Sequence, residues 1–141
     1  MEYIFDEALG WIVYKARLLM KNKLQKTLKD YDITTEQWVI LSGLYTKEGY
    51  NQKDLAKRCL KDRAALTRIL DILERKELIK RENSSNDRRE FLVYMTDKGR
   101  NLYEEVLPMV IKMNQENGSV FSESELHQLK DLLNKLILNL E

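Results

Sequence analysis

The stretch from Leu55 to Gly99 constrains the fold more than any other part of this 141-residue chain. It opens with Leu55-Ala56-Lys57-Arg58, passes a short Cys59-Leu60-Lys61 link, and continues as Asp62-Arg63-Ala64-Ala65-Leu66-Thr67-Arg68-Ile69-Leu70-Asp71. Asp62 is placed to cap the second segment, because its short carboxylate can satisfy the orphan amides of a first helical turn. Leu66, Ile69, Leu70 and Leu73 then recur at the spacing of one buried helical face. Ala64, Thr67, Arg68, Asp71 and Arg75 fall on the opposite, outward face. After Leu78 the period shortens to two. Ile79 alternates with Lys80 and Arg81, and Phe91, Val93 and Met95 alternate with Leu92 and Tyr94. The intervening Asn83-Ser84-Ser85-Asn86-Asp87 is turn chemistry, so the pair is expected to be a β-hairpin with a polar tip. Two helices, a tight turn and a ribbon make a winged helix-turn-helix.

The flanks read as helices. From Glu2 to Lys29 no proline intervenes, and Phe5, Ala8, Leu9, Ile12, Ala16 and Leu19 keep helical spacing. Lys21, Lys23, Lys26 and Lys29 supply cations suited to a helix C-terminus. Thr34 and Gln37 form a capping box before Trp38, Leu41 and Leu44, and Asn51 is a cap for a short helix from Gln52 to about Arg58. Thr96 opens a further helix past Leu102, Val106, Val110 and Met113, which Pro108 is expected to kink or interrupt and Gly118 to end. Ser122 and Glu125 cap a last helix with Leu126, Leu129, Leu133, Leu136, Ile137 and Leu140 along one side. The expected fold is therefore mostly α with a small β-hairpin wing, a single domain over 1–141. Apolar stripes at both ends exceed what a small central module can cover, which predicts that about 1–33 and 100–141 are dimerisation helices flanking a DNA-binding region of about 34–99.

A net charge of +1 is unpromising for a nucleic-acid binder until it is counted by segment. Residues 51–90 hold 12 Lys+Arg against 8 Asp+Glu, whereas residues 99–141 hold 4 against 7. Positive charge thus sits on the elements shaped to enter grooves, where phosphate contact requires it. No run of eighteen apolar residues or secretory leader is visible, and Cys59 is the only cysteine, which together predict a soluble, cytoplasmic protein with no membrane partner. His127 has no second histidine or cysteine at ligand spacing, so no metal and no cofactor is expected. No nucleophile–base pair or phosphate-cradling glycine loop is present, and the chain is not read as an enzyme.

These pieces occur in an order that resembles the MarR family of bacterial transcription regulators. The resemblance covers nearly the whole chain and is carried by Thr34-Thr35-Glu36-Gln37-Trp38, Gln52-Lys53-Asp54-Leu55-Ala56-Lys57-Arg58, Ala65-Leu66-Thr67-Arg68, Asp87-Arg88-Arg89 and Met95-Thr96. It implies a homodimeric repressor on a pseudo-palindromic operator in double-stranded DNA. It implies that Arg89 enters the minor groove, and that Asp87 holds Arg68 or Arg88 in position. Physical chemistry agrees on the first point, since a narrow minor groove concentrates negative potential. Arg63, Ala64, Thr67 and Arg68 would face the major groove: small residues allow close approach, threonine can bond a phosphate or meet a thymine methyl, and arginine can grip guanine with two hydrogen bonds. Gln52 and Lys53 would contact phosphates beside the helix amides.

The link before the second helix departs from the family, which commonly places a glycine and a β-branched residue there. Cys59-Leu60-Lys61 stands instead, and Leu60 is expected to supply the buried hydrophobe. Two other functions stay open: a winged-helix module for protein–protein contact, and a redox switch built on Cys59, which needs an exposed thiol of lowered pKa. The family also implies a small aromatic or phenolic effector, for which Trp11, Tyr14, Trp38 and Tyr45 are the candidate cleft residues.

Overall fold

The computed structural model describes residues 2–87 and 89–141, so Arg88 lies outside the described residues. The order is α1 (Leu9–Leu28), α2 (Thr35–Thr46), β1 (Tyr50–Asn51), α3 (Gln52–Arg58), α4 (Arg63–Arg75), β2 (Ile79–Asn83), β3 (Phe91–Met95), α5 (Asp97–Gly118) and α6 (Glu123–Leu140). Single 3-10 turns occupy Phe5–Glu7 and Lys29–Tyr31. The chain divides at Pro108, inside α5, into compact units 1–108 and 109–141.

The caps form as local chemistry dictates. Thr34 accepts the Gln37 amide while the Gln37 side chain accepts the Thr34 amide. Asn51 accepts the Asp54 amide and Asp62 the Ala65 amide, both at 2.7 Å. Ser122 and Glu125 complete the same reciprocal box at the start of α6.

The core of unit 1–108 gathers Leu28, Ile40, Leu41, Leu44, Leu55, Leu66, Leu70, Leu73, Ile79, Val93 and Val106, all fully buried. Ile69, 7% exposed, joins them, so the core contains the whole stripe expected of α4. Trp38 stacks on Tyr103, with ring centroids 4.3 Å apart. Phe91 departs from the expected alternation and is exposed, because it stands at the end of β3 beyond the core.

One expectation is extended and three are corrected. The β2–β3 hairpin forms, and β1 adds a third antiparallel strand in the order β1-β3-β2; Tyr50 pairs with Val93 and Asn51 with Leu92. A strand of two residues has no periodicity to read. The first helix begins at Leu9, and Phe5 lies in the preceding 3-10 turn. Pro108 does not break α5, which runs continuously from Asp97 to Gly118. Leu60 is not buried.

Leu60 is 91% exposed and adopts φ 55°. The Lys61 amide reaches back to the Ala56 carbonyl and the Leu60 amide to the Lys57 carbonyl. This double closure is a Schellman motif, whose left-handed position normally takes glycine. Leu60 therefore fills the conformational role of the missing glycine, and Cys59 supplies the buried group. Left-handed strain on a leucine costs about 1–2 kcal/mol, while glycine loosens the unfolded chain by about 0.5–1 kcal/mol. Leu60→Gly is thus expected to hold or raise the urea midpoint, and Leu60→Val to lower it, because β-branching worsens the strain. A lower midpoint for glycine than for valine would contradict this account of the turn.

Candidate nucleic-acid interface

The two helices of the central module present their first turns side by side, and the wing closes the third side. Asn51, Gln52 and Lys53 from the start of α3, Arg63 from the start of α4, and Asp87, Arg89, Glu90 and Phe91 from the wing line one open depression of about 310 Å³. Five of the residues expected to touch DNA are thereby brought together: Gln52, Lys53, Arg63, Asp87 and Arg89. Ala64, Thr67 and Arg68 are exposed on α4, opposite its buried stripe. The expected helical wheel holds on that helix.

Among the described residues Lys53, Arg63, Arg68 and Arg89 make no ion pair, although the Asp87 and Glu90 carboxylates line the same depression. Arg81 behaves differently. Its guanidinium donates to Glu74 at 2.6 Å and to Asp71 at 2.7 Å, pinning β2 to the outer face of α4. Both carboxylates come from α4, so this clamp ties the wing to α4. Sequence reasoning missed it, since nothing local marks the pairing.

Two candidate residues are held by local bonds. The Asp87 carboxylate accepts the Arg89 backbone amide at 2.9 Å, and the Asp87 carbonyl accepts the Glu90 amide at 3.1 Å. It shapes the turn that carries Arg89; among the described residues it makes no ion pair with Arg68, and Arg88, the other expected partner, lies outside the described residues. Thr67 donates its hydroxyl proton to the Arg63 carbonyl at 2.8 Å. In this conformation that proton is not offered to a phosphate, and the methyl and a lone pair are left for a partner.

Cys59 is buried, with its thiol 3.9 Å from the Val39 carbonyl, and burial raises its pKa against the opposing pull of Arg58 and Lys61. A redox switch needs the reverse on both counts. The four aromatic candidates separate into two groups. Trp11 and Tyr14 stack together near Phe5, whereas Trp38 is packed against Tyr103 in the core. Tyr45 also packs on Tyr103 and donates its hydroxyl to Glu104 at 3.2 Å; burial and that carboxylate raise its pKa. Trp11 lines a shallow depression with Ile12, Lys15, Ala16 and Leu19 on α1.

The pattern defining the MarR family matches residues 33–91, from the end of the first helical segment to the start of β3. Over 137 residues the chain is 30% identical to the HTH-type transcriptional regulator MgrA of Staphylococcus aureus, covering 96% of this chain and 92% of that one. The chain belongs to the MarR family. Among solved structures it is similar to a mutant of MarR from E. coli complexed with operator DNA, at a TM-score of 0.88 and 28% identity over 96% of this chain and 99% of that one. It is equally similar to the S. aureus MepR–DNA complex, with a TM-score of 0.88 and 30% identity over 94% and 98% of the two chains. MarR-family proteins are transcription regulators rather than enzymes, and the winged helix-turn-helix here is the fold those structures share. Among the described residues no helix is long and apolar enough to cross a membrane.

Proposed function

We propose that this MarR-family chain binds double-stranded DNA sequence-specifically as a homodimer and represses transcription by occupying a pseudo-palindromic operator. The observation that carries the reading is the depression between α3, α4 and the wing. In a duplex, one sugar–phosphate strand separates a major groove from the adjacent minor groove. A helix in the first and a wing in the second must straddle that strand. The depression carries chemistry suited to that strand: Gln52 and Lys53 from the start of α3, Arg63 from α4 and Arg89 from the wing all line it. The relatives solved with operator DNA support it.

In this reading Arg63 and Arg68 grip base edges or phosphates, Ala64 permits close approach, and the Thr67 methyl meets a thymine. Arg89 enters the minor groove, Arg88 is assigned to the same DNA contact, and Asp87 sets the turn. Residues 34–99 form the DNA-binding region, and about 1–33 and 100–141 supply the dimer contacts. Support for the second copy comes from each end separately. Leu9, Ile12 and Leu19 are exposed on α1, and Leu129, Leu132, Leu133, Ile137 and Leu140 are exposed on α6. Large uncovered apolar surfaces of this kind mark interaction sites. A small aromatic or phenolic effector belongs to the same proposal. Its support is the similarity to BpsR of Bordetella bronchiseptica, whose DNA binding is regulated by 6-hydroxynicotinic acid (TM-score 0.90, 26% identity, 96% and 97% of the chains). The aromatic residues on α1 and α2 remain its candidate contacts, with half-buried Tyr45 the phenol on α2.

Sedimentation of the protein alone, and then with duplex DNA from the gene's own upstream region, tests both parts. The expected result is a dimer that binds one duplex. A well-folded monomer at micromolar concentration, or a surface that retains a protein and no duplex, would favour the protein–protein module instead.

A further inference from the structure

Asn51 uses both ends of its side-chain amide. Its Oδ1 accepts the Asp54 amide and starts α3, while its Nδ2 donates to Glu90 Oε1 at 2.6 Å across 39 residues of chain. Glu90 also closes the wing, because its carbonyl accepts the Ser84 amide at 2.8 Å and its amide donates to the Asp87 carbonyl. The next residue back, Arg89, has its own amide held by Asp87. The Asn51–Glu90 bond is therefore one residue from the wing-tip arginine, at the point where the wing faces the start of α3. The β1–β3 ladder there is only two residue pairs long, which leaves the spacing weakly set by backbone alone.

Glu90 is otherwise out of place. It contributes a carboxylate to a depression that also holds Lys53, Arg63 and Arg89. Beside a phosphate strand a negative charge opposes binding, so direct contact is a poor explanation for it. Its side-chain oxygen is committed to Asn51 instead. We infer that Asn51 and Glu90 form a latch that fixes the wing against α3 and so sets how far Arg89 reaches, making both positioning residues for DNA recognition. The inference deepens the DNA-binding reading and rests on it.

Three substitutions separate the latch from simple charge or folding effects. Asn51→Asp keeps the helix cap but removes the donor and sets a second carboxylate against Glu90. Glu90→Gln keeps the acceptor oxygen and removes the charge. Glu90→Ala removes both. In the free protein, hydrogen exchange at the Ser84, Arg89 and Glu90 amides is expected to speed up several-fold in Asn51→Asp and Glu90→Ala, with α4 unchanged and Glu90→Gln like the parent. On duplex DNA, Glu90→Ala is expected to bind about three- to tenfold more weakly than Glu90→Gln, although both lack the charge. That difference should vanish in an Arg89→Ala background, since coupled residues are not additive. Parent-like wing exchange in Asn51→Asp, equal affinities for the two Glu90 variants, or a difference that persists without Arg89 would each overturn the latch. Failure of the parent to bind any duplex overturns the DNA-binding reading, and the role in recognition with it; the exchange data then report on wing anchoring alone.

Discussion

Alanine at Arg63 is expected to cost roughly 1–3 kcal/mol of binding free energy per half-site and to relax base preference at one position. Arg63 is the first residue of α4, exposed and without an ion pair among the described residues, so no intrachain partner competes for its guanidinium. A two-pronged grip on guanine is lost outright when the side chain is truncated. Arg89→Ala is expected to weaken binding comparably without changing preference in the major groove, its effect being largest on narrow, A·T-rich flanks. Because each protomer of the proposed dimer carries both residues, the loss counts twice per operator. Competition binding against duplexes changed one base pair at a time distinguishes the two roles. Parent affinity for either variant would remove that residue from the interface.

Gly99→Ala is expected to lower stability by about 2 kcal/mol or more, against the usual preference of helices for alanine. Gly99 sits in the first turn of α5, and its amide donates to the Thr96 hydroxyl at 3.0 Å. A Cβ there would overlap the Leu78 carbonyl and press on the Met95 side chain. The Leu78 peptide has little freedom to yield. Its carbonyl accepts the Thr96 amide, its amide bonds to Leu73, and it follows Glu77 in a left-handed turn at φ 62°. Overpacking costs about 1–3 kcal/mol and more against fixed backbone, which outweighs an alanine propensity gain of about 1 kcal/mol. Urea unfolding measures the balance, and a raised midpoint would mean the α4–β2 corner moves freely.

What the sequence made legible was local. Thr34, Asn51, Asp62 and Ser122 all cap helices because the acceptor and the amide it satisfies lie three residues apart. The α4 stripe was readable because its hydrophobic period admits one inward face. Leu60 was misread for an instructive reason: a leucine signals burial, but backbone closure of the turn demanded a left-handed residue there and turned its side chain outward. The Asp87 carboxylate takes the Arg89 amide two residues on, a turn bond set by local spacing. The Asn51–Glu90 bond and the Arg81 clamp left no signal, since partners 39 and 10 residues apart are set by topology. The family order of residues marks the candidate interface, while the bonds that orient it follow from the fold.

If the positive middle segment meets phosphates, duplex binding must depend steeply on salt. With roughly six to ten phosphate contacts in a dimer, log affinity should fall linearly with log salt, losing about 10³–10⁵-fold between about 50 and 200 mM. Lys53→Ala should flatten the slope by about one contact per protomer. An affinity independent of salt, or no measurable affinity for any duplex at low salt, would contradict the account.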